Sequence, residues 1–459
     1  MANVAVGAWG SGAFYPPTVR APSRPLPLAQ YFCAYVRNPI SVIPEQAYHE
    51  PITRYGDRLV WVTDPALVKR ILLDDCDNFR KTRVEERVLS GLLGKGILTS
   101  DGAEWRWQRR TVAPLFRQAE VLRHVGSVVA SADALIGSWR SAPPGRVHEI
   151  DQDMTRVAFR VIAETMFHGA SEAVVASLER LNQDYVLPMS WPLVYAVLGM
   201  PAWLPYPGRL RREKAERRMR AAVLELVHAR RAPNDAGDDL LGRLLSARVP
   251  ETDQPMTDRK VVDNLATFLL AGHETTAKAL TWALYLLACS PSWQERLLEE
   301  VRCVAGDSAL DPAQFEQLRE TTKFLKEALR LYPPISSIVR IPVASVDLGG
   351  WPVRAGTLIN IPIFAIHRHR QLWDDPDRFE PERFSPESEA RQSRFQFMPF
   401  GGGPRVCIGA AFAMIEATVM LACFVRAARF EVPPGHVPQL LSRVALQPRG
   451  GMPLKVWMR

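Results

Sequence analysis

Apolar residues between positions 65 and 335 recur mostly at intervals of three and four, which is typical of amphipathic helices. Asp64 and Pro65 mark one helix start, since aspartate caps free backbone N–H groups and proline fits the first helical position. Residues 190–208 are equally apolar, but prolines interrupt them, so we predict a loop region there. The spacing predicts helices over residues 65–74, 103–113, 116–137, 152–167, 210–231 and 261–289.

The pattern changes after Pro334, where short runs of β-branched residues replace the helical spacing. The strands predicted here are residues 337–343 and 357–363, and an earlier strand is predicted over residues 58–63, before the helical region. Gly349-Gly350 suits a hairpin turn, and Gly450-Gly451 predicts a last hairpin within residues 441–458. Residues 367–406 are loop-rich, and a helix follows from about Ile408. The whole predicts a mainly α chain with small β-sheets (α+β), in which one large domain over residues 26–459 follows an irregular segment, 1–25.

Composition excludes several classes of protein. The 459 residues carry a net charge of +8, and 47% are hydrophobic, which is ordinary for a globular chain. Basic residues are mixed with acids, so we predict no nucleic-acid partner, and the densest basic stretch, 209–220, is interpreted as the solvated face of a helix. We find neither a signal peptide nor a run of about 18 apolar residues, so we expect a cytoplasmic protein without a transmembrane segment.

One of six cysteines, Cys407, lies in a glycine-rich loop, Phe400-Gly-Gly-Gly-Pro-Arg-Val-Cys-Ile-Gly409. The other five are predicted to be small buried apolar residues. A helix start favours the thiolate form, the glycines let backbone approach a large flat group, and Arg405 offers a cation to a carboxylate on it. This pattern indicates a thiolate-ligated haem. A glycine loop around a buried cysteine is the simpler alternative, and the absence of a Lys-Ser/Thr pair argues against a phosphate loop.

Ala271-Gly-His-Glu-Thr-Thr276 lies inside the predicted helix 261–289. Position 277 is Ala, so His273 lacks the second histidine of a zinc-protease motif. The Thr275 hydroxyl is placed to bond back to the carbonyl of Ala271, which leaves a groove beside Gly272 for a small ligand such as O₂. Glu274 and Thr275 then form an acid–hydroxyl pair for proton delivery. A kinked core helix with a satisfied polar pair explains the motif equally well.

Glu327 and Arg330 are three residues apart, which places them on one helix face. Alone they predict only a local ion pair. Arg383, in Phe379-Glu-Pro-Glu-Arg-Phe384, is expected to join them in a partly buried network that holds the loop region beneath the cysteine.

In their order and separations these motifs resemble the cytochrome P450 family, and Trp105-Arg-Trp-Gln-Arg109 resembles that family's WxxxR helix. The resemblance covers about residues 50–459. It implies a single domain shaped like a triangular prism, with haem b (iron protoporphyrin IX) as cofactor and O₂ as co-substrate. The predicted activity is hydroxylation of an apolar small molecule, such as a fatty acid, a terpenoid or an aromatic compound.

The resemblance also implies roles for individual residues. Cys407 is the expected iron ligand, and Thr275 and Glu274 are the expected alcohol–acid pair. Ala271, Gly272, Phe400 and Gly409 are expected to contact the haem. Trp105, Arg109, Arg340 and Arg405 are expected to bind its propionates. Glu327, Arg330 and Arg383 would form a structural triad, and His273 would not bind iron.

Neither an anchor nor a fused reductase is evident, so a ferredoxin or flavodoxin with its NAD(P)H-dependent reductase is the expected electron donor, and the chain is expected to be a monomer. Surface arginines on the cysteine side favour an acidic donor; they are Arg106, Arg109, Arg110, Arg391 and Arg394. Residues 84–97 are expected to cover the substrate pocket, and 190–208 to form its lid. The predicted pocket wall consists of Phe268, Leu269, Ala271, Ile335, Ser336 and Ile338.

Three other functions stay open on the residues alone. A haem-thiolate peroxygenase, isomerase or dehydratase would not activate O₂, although the Glu274–Thr275 pair favours O₂ use. A non-enzymatic haem sensor or carrier would be expected to carry a signalling domain. A hydrolase with Cys407 as nucleophile would need a paired histidine.

Overall fold

The computed structural model describes residues 13–167, 170–201, 203–231, 239–249, 253–306 and 308–459. Its helices are α1 Leu28–Arg37, α2 Pro65–Lys69, α3 Arg83–Leu93, α4 Gly102–Val112, α5 Gln118–Leu122, α6 Val125–Arg140, α7 Ile150–Met166, α8 Glu172–Val186, α9 Ser190–Val197, α10 Arg209–Arg230, α11 Leu240–Ser246, α12 Asp258–Ala288, α13 Pro291–Ala305, α14 Arg319–Leu331, α15 Ile363–Ile366, α16 Pro386–Glu389 and α17 Ala410–Ala427. The strands are β1 Ile52–Tyr55, β2 Leu59–Val62, β3 Phe79–Arg80, β4 Val147–Glu149, β5 Ile338–Pro342, β6 Val346–Leu348, β7 Trp351–Val353, β8 Leu358–Ile361, β9 Ala428–Glu431, β10 Leu440–Ser442, β11 Leu446–Pro448 and β12 Pro453–Met458. The predicted class, mainly α with small β-sheets, is confirmed.

Helix α12 organises the core. Its 31 residues are buried along nearly their whole length, and it packs against α7, α10, α14 and α17. Buried apolar residues on these helices, such as Leu280, Ile162 and Leu421, belong to one continuous cluster. Only a short stretch at the middle of α12, around Ala271 and Gly272, is left accessible.

The sheets lie at the margins of this helical core. The largest has the strand order β1-β2-β8-β5-β3, in which only β2 and β8 run parallel. A second sheet has the order β4-β12-β9, and β6–β7 and β10–β11 form two-stranded sheets. Gly349 and Gly350 both have positive φ between β6 and β7, so the predicted hairpin turn is confirmed.

Most predicted helices agree with the structure within a few residues, but two are divided. Residues 65–74 form α2 and then a π-helical turn, Arg70–Asp74. Residues 116–137 are split between α5 and α6, and the break was not visible because the apolar spacing continues across it.

Two other predictions were wrong. The stretch 190–208 contains the helix α9. Pro192 does not break it because it lies in the first turn, where backbone N–H groups make no hydrogen bond within the helix, so the N–H that proline lacks is not needed there. The last hairpin does not exist: β12 pairs with β4 and β9, whereas β11 pairs with β10. Gly450 and Gly451 therefore turn the chain between two different sheets.

The predictions about the cysteines and about long apolar segments were also partly wrong. Cys289 and Cys423 are buried, but Cys33 and Cys303 are exposed and Cys76 is intermediate, because they lie on outward faces or in a surface turn. Among the described residues, α17 is long and apolar enough to cross a membrane by composition, although 67% of it is buried inside the protein. This burial is typical of a core helix.

Candidate active site

A cavity of about 2770 Å³ lies beside the middle of α12. It is nearly three times the upper end of the roughly 300–1,000 Å³ of ordinary ligand pockets, so it has room for a large flat group and a second molecule. The predicted site residues that line it are Ala271, Gly272, Glu274, Thr275, Arg340, Phe400, Arg405, Cys407 and Gly409. The structure thus brings together residues that are more than 130 positions apart in the chain.

Cys407 reaches the cavity from the loop that precedes α17. Its backbone N–H donates to the carbonyl of Phe400, 2.9 Å away, which closes the loop. The Cys407 side chain lies deep in the protein, and its exposed surface faces the cavity, whose wall it helps to form. A thiol in this position is available to a ligand in the cavity.

The ionisation of this thiol differs from the sequence-based expectation. Burial raises the pKa of Cys407, and the Gly409 N–H and the Arg109 guanidinium oppose this only in part. Helix α17 begins at Ala410, three residues after the cysteine, so desolvation outweighs the help from the helix start. A bound metal ion would be the stronger influence, because a coordinating thiol is deprotonated outright.

Cationic side chains line the cavity on the same side. Arg340 is only 8% exposed and donates to the carbonyl of Val339 at 2.9 Å, but it forms no ion pair among the described residues. Burial lowers the pKa of Arg340 and of Arg405. A buried cation without an anionic partner is unfavourable, so Arg340 fits a carboxylate on a molecule in the cavity, whereas Arg405 is already paired with Asp101.

Trp105 and Arg109 lie behind this wall, on α4, and do not line the cavity. The guanidinium of Arg405 stacks 3.9 Å above the Trp105 ring, donates to the Ser100 carbonyl at 3.0 Å and pairs with Asp101. Arg109 lies close enough to Cys407 to affect its pKa. The structure therefore brings both α4 residues to the cysteine side, where they support Arg405 and the thiol.

On the opposite wall, α12 carries the predicted groove. The Thr275 hydroxyl donates to the carbonyl of Ala271 at 2.9 Å, and Thr276 donates to that of Gly272 at 3.1 Å. The predicted backward hydrogen bond is confirmed, although α12 remains helical throughout. Small residues at 271 and 272 leave this stretch of backbone open to the cavity.

His273 points away from the cavity and is fully buried. Its Nε2 lies 3.0 Å from the Asn182 side chain, and its Nδ1 lies 2.5 Å from the Leu269 carbonyl. Burial lowers the pKa of His273, which favours the neutral imidazole. The expectation that it is no iron ligand agrees with this position, because both ring nitrogens already have partners.

The predicted network beneath the cysteine loop is present and buried. Arg330 binds both carboxylate oxygens of Glu327, at 2.6 and 2.7 Å, and neither side chain is exposed. Arg383 lies 3.7 Å from the same carboxylate. Arg330 also donates to the carbonyls of His367 and Pro376 at 2.7 Å, so it holds the loop-rich region onto α14.

The predicted pocket wall is correct except for one residue. Phe268, Ala271, Ile335, Ser336 and Ile338 line the cavity, as do Val84–Ser90 of α3 and part of α9. Leu269 does not: it is completely buried, because successive helical residues point in different directions and its face packs into the core.

Three basic residues with inward contacts were missed by the sequence-based interpretation. Lys81 lines the cavity near Arg340 and Arg405, and burial lowers its pKa. Arg212 and Arg220 belong to the stretch interpreted as a solvated helix face, yet they donate to the carbonyls of Val88 and Leu92 and hold α3 in place. The sequence carries no local signal for them, because they lie among other charged residues of α10.

Gly403 is expected to be essential to the cysteine loop. Its φ is +68°, and a Cβ atom would lie 1.7 Å from the backbone oxygen of Leu72. We expect Gly403→Ala to lower the stoichiometry of bound cofactor to less than about a tenth of the wild-type value, since a backbone clash cannot be relieved by rotating a side chain.

Gly435→Ala is the matched control for this substitution. Gly435 has a similar φ of +76°, but nothing lies within 4 Å of its added Cβ. We expect Gly435→Ala to lower the free energy of unfolding by only about 1–2 kcal/mol, the cost of placing an alanine in the left-handed conformation. Equal cofactor content in both purified variants, measured as pigment per chain, would contradict the role given to Gly403.

Comparisons with known proteins agree with this geometry. Residues 49–454 match the protein family described as Cytochrome P450. The chain is 32% identical over 417 residues to cyclooctat-9-en-7-ol 5-monooxygenase of Streptomyces melanosporofaciens, covering 89% of each chain. It is similarly 32% identical to cyclooctatin synthase of that organism, again with 89% of each covered, and 29% identical to a cytokinin hydroxylase of Arabidopsis thaliana, covering 87% and 81%.

A solved structure is similar as well. The crystal structure of cytochrome P450DA heme domain superposes with a TM-score of 0.77 at 26% identity, covering 89% of this chain and 90% of that one. The protein belongs to the cytochrome P450 family. It is a monooxygenase that uses haem and O₂ and takes its electrons from redox partners.

The described residues fit a haem. The cavity is large enough for the macrocycle and a substrate, and the Cys407 thiol faces it, whereas the described residues form no cluster of three or more metal-binding side chains. The buried guanidinium of Arg340 and the partly buried one of Arg405 line the same space. Thiolate ligation donates electron density to the iron, which favours cleavage of the O–O bond.

Proposed function

We propose that this enzyme hydroxylates a largely apolar molecule, of terpenoid-alcohol size, at a haem whose iron is bound by Cys407. The observation that carries the proposal is the large cavity beside α12, with the Cys407 thiol on one wall and the Thr275 groove on the other. Arg340 and Arg405 would bind the propionates, with Trp105 and Arg109 behind them. Phe400, Gly409, Ala271 and Gly272 would contact the macrocycle.

The chain's own residues would position the substrate and move protons. Phe268, Ile335 and Ile338 present apolar surface to the cavity, which favours binding of a hydrocarbon skeleton. The helices packed against α12 form much of the wall around this cavity. Glu274 and the Thr275 hydroxyl would deliver protons from solvent to the groove, as a positioned acid and alcohol do.

The substrate class is tested by ligand screening. Farnesol and geranylgeraniol represent terpenoid alcohols, dodecanoic acid represents fatty acids, and naphthalene represents aromatic compounds. We expect the terpenoid alcohols to give the largest change in the haem absorption spectrum and hydroxylated products in the presence of NADPH and a surrogate redox system. Support for this choice comes from the two Streptomyces relatives, one of which is named for an alcohol substrate. Stronger binding and turnover of dodecanoic acid or naphthalene would contradict it.

We further propose an acidic ferredoxin or flavodoxin, reduced by an NAD(P)H-dependent reductase, as electron donor. Arg106, Arg110, Arg391 and Arg394 are exposed, and Arg106 and Arg110 lie on α4, the helix that also carries Arg109 next to Cys407. Positive charge near the cysteine side would speed the encounter with an acidic protein.

The Arg106→Gln/Arg110→Gln double variant is expected to slow reduction about tenfold at low salt, because charge steering of this kind changes association rates by factors of 10–10³. The Arg217→Gln/Arg218→Gln variant removes the same charge from exposed positions on α10, an element that does not line the cavity. Reduction by a ferredoxin is followed by stopped flow at increasing salt. Equal rates for the two variants, or rates insensitive to salt, would contradict this docking face.

We also propose that the enzyme works in the cytoplasm as a monomer. All of the predicted site residues lie in one chain, and the apolar helix α17 is mostly buried. Sedimentation of the purified protein should give a mass near 51.5 kDa plus the cofactor. A stable dimer, or recovery in the membrane fraction, would contradict this.

A further inference from the structure

A row of polar side chains crosses the largest sheet beside the cavity. The row consists of Thr53 on β1, Trp61 on β2 and Asn360 on β8, because Thr53 pairs with Trp61 and Trp61 pairs with Asn360. Side chains of paired residues point to the same face of a sheet, and neighbouring strands lie about 4.8 Å apart. The three polar groups therefore lie side by side on one face.

This face of β8 borders the cavity. Leu358 lies two positions before Asn360 and shares its face, and both residues line the cavity. Ile359 and Ile361 point to the opposite face, where they belong to a separate apolar cluster. Asn360 is thus an amide placed in a stretch of cavity wall that is otherwise apolar.

The polar row has no hydrogen-bond partners within the described part of the chain. Thr53 Oγ1, Trp61 Nε1 and Asn360 Oδ1 are all buried there without one. By contrast, the hydroxyl groups of Ser336 and Ser442 at the same cavity satisfy each other at 2.9 Å. A buried polar group without a partner is costly, and native proteins normally satisfy it with water or a ligand.

The two ends of the Asn360 amide have different surroundings. Its Oδ1 is buried, although the residue as a whole is only partly buried and lines the cavity. The adjacent donor is the indole N–H of Trp61, whose ring packs against Tyr31 and Tyr55 with centroid distances of 6.4 and 6.3 Å. A buried tryptophan N–H usually has an acceptor, and the buried Oδ1 is an unused acceptor on the next strand. With Oδ1 toward Trp61, the Nδ2 group is the end of the amide that is left to the cavity.

We propose that Asn360 determines substrate specificity by donating a hydrogen bond from Nδ2 to an oxygen atom of the substrate. Trp61 is a positioning residue, since its N–H binds Oδ1 and so directs Nδ2 into the cavity. This inference rests on the proposed function and deepens it, because it names the residue that recognises the oxygen of a terpenoid alcohol. The ligand class is a hydrocarbon skeleton that already carries one oxygen atom.

The place of Asn360 in the sheet gives this hydrogen bond a second consequence. Ile338 on β5 reaches the cysteine loop, because a Cβ atom added at Gly401 would lie 3.3 Å from its Cδ1. Asn360 pairs with Val339 on the same strand, so it is offset from Ile338 by about one strand spacing of 4.8 Å. A substrate oxygen held at Asn360 therefore leaves a different carbon atom beside the cysteine loop, and the hydrogen bond selects which carbon is hydroxylated.

The test uses the holoenzyme and three probes: geranylgeraniol, its methyl ether, and the hydrocarbon in which hydrogen replaces the hydroxyl group. Each dissociation constant is measured from the change in the haem absorption spectrum. An ether oxygen accepts a hydrogen bond but cannot donate one, so the alcohol and the ether should both respond to the loss of a donor. We expect Asn360→Leu to weaken binding of both about tenfold and to change binding of the hydrocarbon less than about twofold.

Asn360→Asp tests the direction of the hydrogen bond. An ionised carboxylate accepts hydrogen bonds but donates none, so the alcohol keeps a partner and the methyl ether loses its own. We expect the ratio of the ether to the alcohol dissociation constant to rise about tenfold above its wild-type value. An unchanged ratio would overturn the assignment of Nδ2 as the donor.

The distribution of hydroxylated products is the second readout, and a loss of stability alone would not change it. We expect Asn360→Leu to spread hydroxylation of geranylgeraniol over more carbon atoms and to leave the products of the hydrocarbon unchanged. Trp61→Phe removes the N–H but keeps an aromatic ring, so it should weaken binding of the alcohol about threefold. Trp61→Phe/Asn360→Leu should be no weaker than Asn360→Leu.

Two control variants separate this role from the shape of the cavity. Thr53→Val removes the other hydrogen-bonding side chain beside Trp61, and Leu358→Ala changes the same face of β8 without touching the amide. Neither should change the ratio of alcohol to hydrocarbon dissociation constants by more than about twofold. If Asn360→Leu weakens the alcohol and the hydrocarbon equally, the proposal is overturned while the proposed substrate class stands. If the wild type binds none of the three probes, that substrate class fails, and this inference fails with it.

Discussion

Glu327→Gln is expected to destabilise the protein by about 3–5 kcal/mol, because removal of one partner leaves the other charge buried and uncompensated. Glu327 and Arg330 have 0% side-chain exposure, and two hydrogen bonds of 2.6 and 2.7 Å join them. The Glu327 carboxylate also accepts the Glu380 N–H at 2.8 Å. Glutamine keeps the size of the side chain, so the effect measures the loss of charge.

The exposed pair Asp57–Arg354 is the control for this prediction. Its partners are 3.0 Å apart, but their side chains are 69% and 77% exposed. Asp57→Asn is expected to change the free energy of unfolding by only about 0–1 kcal/mol, as is typical of surface pairs. Both variants are measured by urea unfolding followed by circular dichroism. Equal effects would show that the buried triad does not hold the loop-rich region.

Loss of Cys407 is expected to have the largest effect on function. The structure offers no second metal-binding cluster among the described residues, so no other side chain is arranged to replace the thiolate. Cys407→Ser keeps the size of the side chain and the loop geometry, in which the residue's N–H binds the Phe400 carbonyl. We expect this variant to fold with a free energy of unfolding close to that of the wild-type apoprotein but to have no monooxygenase activity.

Much of the site could be predicted because its chemistry depends on short stretches of sequence. The cysteine loop, the Thr275 hydrogen bond and the Glu327–Arg330 pair each involve residues within about ten positions of one another. Local spacing determines such geometry, since i, i+3 and i, i+4 positions share a helix face. The family resemblance then linked these separate motifs into one site.

What could not be predicted depends on tertiary packing. The Lys278–Asp151 contact joins residues 127 positions apart, and no local pattern marks Lys278 as inward-facing. Arg212 and Arg220 lie in a highly charged stretch, and only their neighbours on α3 show that they point inward. The pairing of β12 with β4 similarly crosses some 300 residues, so Gly450-Gly451 was interpreted as a local hairpin.

The orientation of Glu274 shows the same limit. Adjacent positions 274 and 275 predicted an acid and an alcohol that act together, yet in the structure the acid contacts Lys278 and the alcohol contacts Ala271. Neighbouring helical residues point about 100° apart, so adjacency in sequence does not give contact between side chains. Cooperation between them requires movement of Glu274.

The measurement that tests the central claim most directly is the visible spectrum of the reduced protein with carbon monoxide, compared between wild type and Cys407→Ser. We predict a strongly red-shifted Soret band in the wild type, typical of thiolate-ligated haem, and its complete loss in the variant. A band typical of histidine ligation in the wild type, or a red-shifted band that survives in Cys407→Ser, would contradict the assignment of Cys407 as the iron ligand.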